Sequence, residues 1–477
     1  MPATGNWAAV GASRSPARRW QVFSRRACKA SRPAHRITCK TCTAFCAGTR
    51  LRRIMSATLT SNGSKTIPKN PSIRRPEMKI LVSLVGEQPT PNLIPLFDKR
   101  TLAGPEEGRW RAVKFLASGA TWKVGENLLK ALEADSNTPN SAVAGVARME
   151  LKQIEAWSLE NARQNIKQAL EEVRAAYPDD TIVVNFTGGT KIMSLAAYQA
   201  AVEMGVEMVY VNTEKAHISR FDKSGAPLNP PSPFETKISV ETLFRAAGRE
   251  IDQGKTRDVN AIAPNVRDLL WWLANNYDGA IKDCLLPVQK YIQNGLRDKT
   301  ITAAPYRAPL APNSKISQEA AGRIRDAGLW AWNGNEVSIE QSKWEFVKGG
   351  WLESYAVVAL ARDNQFDEVS GPLFPKGINL DKEDMPDIDA LGCRNGRLAL
   401  LECKVTGSQE DGGLTNILGK LRAHERLMGG LYGASVFVRA SEENKTRVET
   451  WAQEYGVNVV IGRDLPQLAD RVLKIIS

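Results

Sequence analysis

Beyond residue 77, short and nearly continuous apolar runs recur between longer segments with helical spacing. Lys79-Ile80-Leu81-Val82-Ser83-Leu84-Val85 and Thr181-Ile182-Val183-Val184-Asn185-Phe186 have the pattern of strands buried on both faces. Trp110–Leu116 and Glu207–Val211 read as two more strands. Helical spacing runs over Leu93–Asp98, Trp122–Glu133, Leu159–Tyr177 and Ile192–Met204. Strands alternating with helices predict an α/β fold with a doubly wound, largely parallel sheet of Rossmann-like type. A Pro-rich stretch at 223–236 then predicts a linker. Helical segments follow at Val240–Ile251, Val266–Asn275 and Ile316–Arg325, and Leu329–Ile339 reads as a hairpin around Asn333-Gly334. This helix-plus-hairpin connector resembles a winged helix. The adjacent Trp271 and Trp272 read as core packing rather than a base-stacking platform.

The last third of the chain carries the strongest local signals. Gly350–Ala361 is apolar nearly all round, which predicts a buried helix, and Glu353 is its only charge. An isolated carboxylate there costs several kcal/mol unless it is paired, hydrogen-bonded or metal-bound. From Met385 to Lys404 two apolar runs flank Asn395-Gly396, the pair a two-residue type I′ turn requires. That turn sets a register in which Arg394 faces Arg397, Leu391 faces Leu400, Asp389 faces Glu402 and Asp387 faces Lys404. Opposed carboxylates repel unless a cation joins them, and a divalent ion with oxygen ligands meets that need, with Lys404 placed to stabilise charge on a phosphate. The alternative is a solvent-facing ribbon of ordinary polar residues. Leu414–Met428 reads as a helix with Lys420 and His424 one turn apart, His424 being a metal ligand or simply polar surface. Ala434–Val438 and Val457–Ile461 are further strands.

Thr187-Gly188-Gly189-Thr190-Lys191 lies between a strand and a helix, where free backbone N–H groups, a helix dipole, two hydroxyls and a lysine converge on an anion. It matches neither the phosphate loop of nucleoside triphosphatases nor the dinucleotide fingerprint. A tight turn with a solvated Lys191 is the plainer reading.

Composition changes this picture in two places. The net charge of +12 is concentrated in residues 1–77, which hold sixteen Lys and Arg against Glu77 alone, leaving 48 basic and 51 acidic residues beyond. Global charge therefore gives no argument for nucleic-acid binding, and any positive groove is local. That Arg-, Ser-, Thr- and Pro-rich leader has no periodic apolar face, which predicts disorder or an Arg-rich targeting peptide, or a natural start at Met78 or Met55. Its Cys39, Cys42 and Cys46, with His35 nearby, are a candidate zinc cluster. Cys284, Cys393 and Cys403 are scattered, as in a reducing cytosol. No apolar run approaches the length of a membrane span.

Gly349-Gly350-Trp351-Leu352-Glu353, the Asp-bearing strand and Glu402-Cys403-Lys404 together resemble the PD-(D/E)xK nuclease superfamily. More closely, the span from Met78 onward is similar to the CRISPR-associated effectors that join an N-terminal CARF sensor to such a nuclease. The resemblance implies a CARF domain at 78–230, a connector at 231–344 and a nuclease domain at 345–477, and the leader at 1–77 has no counterpart in it. Val82–Leu93 and Thr187–Lys191 match the family's ligand loops, which implies contact with a cyclic oligoadenylate, usually the tetra-adenylate, by Gln88, Pro89, Thr90, Gly188, Gly189, Thr190 and Lys191. For the nuclease it implies Glu353, Asp389 and Glu402 as ligands of Mn²⁺ or Mg²⁺ and Lys404 as the catalytic lysine. The family's usual N-E-x-D is Pro386-Asp387-Ile388-Asp389 here, and the hairpin register favours Asp389 over Asp387. A cytoplasmic homodimer that cleaves DNA or RNA in type III CRISPR antiviral defence is the implied whole. A ligand-responsive nucleic-acid-binding regulator with an inactive nuclease fold, or a constitutive repair or restriction nuclease, are the alternatives.

Overall fold

The computed structural model describes residues 78–102, 109–139, 141–155, 157–213, 215–252, 259–377, 387–406, 411–428 and 432–477. All of them belong to one compact unit, Ile73–Ser477. The expectations for the leader, its cysteine cluster included, lie outside the described residues, as do Met385 and Pro386.

The first sheet contains β1 (Met78–Leu84), β2 (Arg109–Ala117), β3 (Arg148–Gln153), β4 (Thr181–Asn185), β5 (Glu207–Asn212), β6 (His217–Phe221) and β7 (Ser232–Pro233), in the order β3-β2-β1-β4-β5-β6-β7. The first five are parallel and the last two antiparallel. Alternate residues of β1 face opposite cores: Ile80, Val82 and Leu84 pack with helices Leu159–Ala176 and Lys191–Met204, while Leu81 packs with Thr90–Phe97, Trp122–Ser136 and Val240–Ala246. This is the doubly wound arrangement that the continuous apolar runs predict.

Three expectations change. β3 reads Arg-Met-Glu-Leu-Lys-Gln and has no apolar run because it is a charged edge strand. The supposed linker contains β7, which pairs with β6, and Phe234 and Ile238 beyond it are buried. The helix expected over Val240–Ile251 ends at Ala246: Gly248 turns at φ +77°, and Arg249–Ile251 becomes strand β8.

The connector holds helices Pro264–Asn275, Leu286–Arg297 and Lys315–Asp326 beside a small antiparallel sheet of β9 (Tyr306–Pro309), β10 (Ala331–Trp332) and β11 (Glu336–Ile339), in the order β10-β11-β9. The last sheet contains β12 (Glu368–Ser370), β14 (Ala390–Arg394), β15 (Arg397–Lys404), β16 (Gly433–Arg439) and β17 (Asn458–Ile461), in the order β12-β14-β15-β16-β17, while β13 (Pro375–Gly377) pairs instead with β8. The β14–β15 turn is as expected, with Asn395 at φ 51° and Gly396 at φ 74°.

The hairpin tip is buried against the first domain rather than exposed. Leu391, Cys393, Leu398 and Leu400 share a core with Leu93, Phe97 and Ile238. A Cβ on Gly396 would lie 3.1 Å from Ile94 Cδ1 and 3.2 Å from Ile238 Cδ1. Phe234 stacks on Tyr432 with centroids 6.3 Å apart, and the Val240 N–H donates to Glu368 Oε2 at 2.8 Å. The β14–β15 hairpin therefore packs on helix Thr90–Phe97 and on the segment after β7.

Candidate functional site

Helix Trp351–Ala361 follows a π-helical turn at Phe346–Gly350, a local irregularity common at functional sites. Its apolar positions Trp351, Leu352 and Tyr355–Leu360 are buried, and the Tyr355 hydroxyl donates to the Leu465 carbonyl at 2.7 Å. Glu353 lies in the first turn, where the helix dipole favours a carboxylate, and faces a cleft of about 630 Å³. Asp387 and Lys404 line the same cleft from the hairpin side, and Gln289 and Gln293 line it from the connector.

The regular β14–β15 ladder ends at Ala390 opposite Leu401. One residue earlier the Asp389 side chain takes over, Oδ2 accepting from the Cys403 N–H at 2.6 Å. The chain then turns away, because Ile388 makes a two-bond bridge with Leu373. Asp389 and Glu402 thus meet at the open end of the ladder, beside Lys404. Lys404 Nζ lies 2.5 Å from Glu402 Oε1 and 3.7 Å from Asp389 Oδ2. The expected Asp387–Lys404 pair is a correction: the bridge to Leu373 carries Asp387 off the ladder, it is exposed, and it makes no ion pair with Lys404.

Burial forces this cluster to trade protons. The Asp389 side chain is only 6 % exposed against 37 % for Lys404. Burial, then Glu402 and Glu353, outweigh Lys404 and raise Asp389 to about 8. Burial works against the Lys404 ammonium, but Asp389 and Glu402 more than offset it and its pKa rises. Cys403, between them in sequence, points into the core with its thiol pushed up by burial and then by Asp389. Glu353, Asp389 and Glu402, of which the first and last both raise Asp389, are hard oxygen donors, the set a small divalent cation prefers. Among the described residues no three His, Cys, Asp or Glu stand close enough to hold an ion, and Lys404 Nζ contacts both Asp389 and Glu402. The donor chemistry fits such a cation once that ammonium turns outward.

His424 is buried, its Nε2 lacks a hydrogen-bond partner, and burial followed by Lys420 lowers its pKa while Asp387 opposes this. It is not the polar surface residue that its spacing suggested.

The second site lies at the carboxyl ends of β1 and β4. Gly188 is wedged against β1: a Cβ there would fall 2.0 Å from the Leu84 carbonyl oxygen, so no side chain fits. Gly189 adopts φ +77°, and Thr190 caps the following helix by accepting from the Met193 N–H at 3.2 Å. Thr190 and Lys191 are exposed at the start of a 14-residue helix, Gln88 is half-buried in the neighbouring loop, and Pro89 and Thr90 are buried beneath it. Under both loops runs a polar chain absent from the sequence-based site. Asn185 Nδ2 donates to Ser83 Oγ and the Pro91 carbonyl, Ser83 Oγ donates to Asn92 Oδ1 at 2.8 Å, and Thr187 Oγ1 donates to Asn185 Oδ1 at 2.7 Å. Ser83 and Asn185 are each a polar residue inside an apolar strand, which is the signal that could have found them.

Comparison with known proteins adds three findings. Residues 340–476 match the model of the Card1-like endonuclease domain, and residues 128–242 match that of the Card1 CARF domain. Protein VC1899 from Vibrio cholerae is similar in fold, with a TM-score of 0.63 at 17% identity over 83% of this chain and 98% of that one. Can2 from Sulfobacillus thermosulfidooxidans, solved in complex with cyclic tetra-adenylate, gives a TM-score of 0.58 at 16% identity over 83% of this chain and 97% of that one. No curated protein sequence matches.

Proposed function

The chain belongs to the CARF effector nucleases, joining a Card1 CARF domain to a Card1-like endonuclease domain, and on that premise we propose that it is a metal-dependent endonuclease switched on by cyclic tetra-adenylate in CRISPR defence. One observation carries the reading: Lys404, which lines the cleft with Glu353, bridges the Asp389–Glu402 carboxylate pair, and the hairpin holding that pair packs at its far end on the sensor. The complex of Can2 with cyclic tetra-adenylate supports the choice of activator.

In the nuclease half, Glu353, Asp389 and Glu402 hold the cation and Lys404 faces the scissile phosphate. Mn²⁺ or Mg²⁺, when bound, supplies positive charge for the phosphate and a water of lowered pKa. Lys404 stabilises the charge that develops on the phosphate oxygens. The Cys403 N–H fixes one Asp389 oxygen and so leaves the other to aim at the cleft. In the sensor half, Lys191, Thr190 and the helix N-terminus meet phosphates, with Gln88 beside them. Ile192 and Leu195, exposed next to that loop, suit a second copy of the chain closing over the ligand.

Activation runs along one element. Helix Thr90–Phe97 begins at the ligand loop, and its Ile94 abuts the Gly396 tip of the hairpin whose base carries Asp389 and Glu402. A shift of that helix on ligand closure reaches the carboxylates through a rigid ladder. Incubating the protein with labelled DNA and RNA, with and without Mn²⁺ and cyclic tetra-adenylate, tests the reading. Cleavage that needs both additions supports it. Binding without cleavage favours a regulator, and cleavage without activator a constitutive nuclease.

A further inference from the structure

The paired tryptophans of the connector pack against the core, as expected, but only with part of their surface. Trp271 and Trp272 are half-buried and line a second cavity, of about 620 Å³, on the face of helix Trp351–Ala361 next to the one that lines the cleft. Arg362 Cζ sits 3.8 Å from the centroid of Trp271, whose ring lies near Tyr355, and Arg323 Cζ sits 4.7 Å from that of Trp272. Arg267 completes the lining, against the single acid Asp268. Arg323 pairs with Glu319, but Arg267 and Arg362 have no carboxylate partner among the described residues. Guanidinium groups lying over indoles, with Arg267 and Arg362 unpaired with carboxylates among the described residues, offer donors for a phosphate beside aromatic surface for a nucleobase.

The cavity is also continuous with the active cleft in its walls. Val357 lines the cleft and Val358 the cavity, and the segment from Val259 to Pro264 contributes Ile262 to the first and its two ends to the second. Glu353 and Arg362 are separated by nine residues, roughly 13 Å along a helix axis, or about four nucleotides of a stacked strand. We propose that this Arg–Trp cavity is a second substrate subsite, gripping a phosphate and stacking a base of the nucleic-acid strand a few nucleotides from the bond being cut. The inference rests on the nuclease reading above and adds to it the strand's path.

Two measurements test it on the full chain with activator and Mn²⁺. Single-stranded DNA and RNA carrying iodouracil at successive positions are photocrosslinked to the protein and the adducts mapped by mass spectrometry, which does not require cleavage. The expected result is an adduct on the Trp271–Trp272 peptide, competed by unlabelled strand and lost in Arg267→Gln/Arg362→Gln. In kinetics the same double variant raises KM by about tenfold with kcat within about twofold, and only for strands long enough to span both cavities. Adducts confined to the cleft, or an unchanged KM, overturn the subsite. An adduct at Trp271–Trp272 on a protein that never cleaves leaves the subsite standing and removes the nuclease reading instead.

Discussion

The Thr187–Lys191 loop and the Asp389–Lys404 strand ends both meet phosphate in this account, yet they are built from opposite materials. The loop offers backbone N–H groups, an exposed lysine and glycines packed so closely that Gly188 has no room for a Cβ. Its charge is solvated and costs little to hold. The strand ends crowd carboxylates together under burial, with Asp389 raised to about 8, and rely on Lys404 to hold them. Under the proposed function the first receives an anion as it stands, whereas the second exchanges an ammonium and a proton for a metal. A sensor that must respond to scarce ligand benefits from the former, and a nuclease that must stay silent from the latter.

Substitution should separate the two sites. Lys404→Ala removes the cation that stabilises charge on the phosphate oxygens and Glu402→Ala a ligand of the metal, and with either change cleavage should fall by about 10³-fold or more while activator affinity stays unchanged. Gly188→Ala drives a Cβ into the Leu84 carbonyl, so calorimetry should show activator affinity falling by about 100-fold or more, with activity following only through lost occupancy. Gly396→Val tests the link between the sites. It crowds Ile94 and Ile238 at a positive φ, and full activator binding with activation reduced by about tenfold is the expected pattern. Lys191→Ala, which removes only a solvated cation, should cost about fivefold to tenfold in activator affinity.

The smallest effect concerns pH. Asp389 titrates higher folded than unfolded, so the stability tied to its neutral form is fully present below about pH 4 and is lost as pH rises toward 8. Metal-free Asp389→Asn should therefore melt higher than the parent at pH 8, and the gap should close on acidification. A gap of the same size at both pH values would show that Asp389 is not the group under strain.

Much of this was legible in the sequence because the signals were local. Continuous apolar runs marked β1 and β4, Asn395-Gly396 fixed the hairpin register, and one acid on an apolar helix singled out Glu353. What escaped depended on distant packing. The charged β3 carries no apolar run, and β7 hides among prolines. Asp387 leaves the ladder because Leu373, fifteen residues upstream of Ile388, captures its neighbour. Nothing in the hairpin's own residues shows that its tip is the contact with the first domain. Trp271 and Trp272 do pack on the core, but nothing in their own segment announces the Arg323 and Arg362 that lie over them.

The most direct test of the central claim, that one hairpin couples an anion sensor to a metal-dependent cutting site, is the cleavage rate of labelled DNA and RNA measured as cyclic tetra-adenylate is titrated in Mn²⁺, for the parent protein and Gly396→Val side by side. The account predicts cleavage that rises with activator in the parent and a lower plateau at the same half-saturating concentration in the variant. Equal plateaus, or cleavage indifferent to activator, would contradict it.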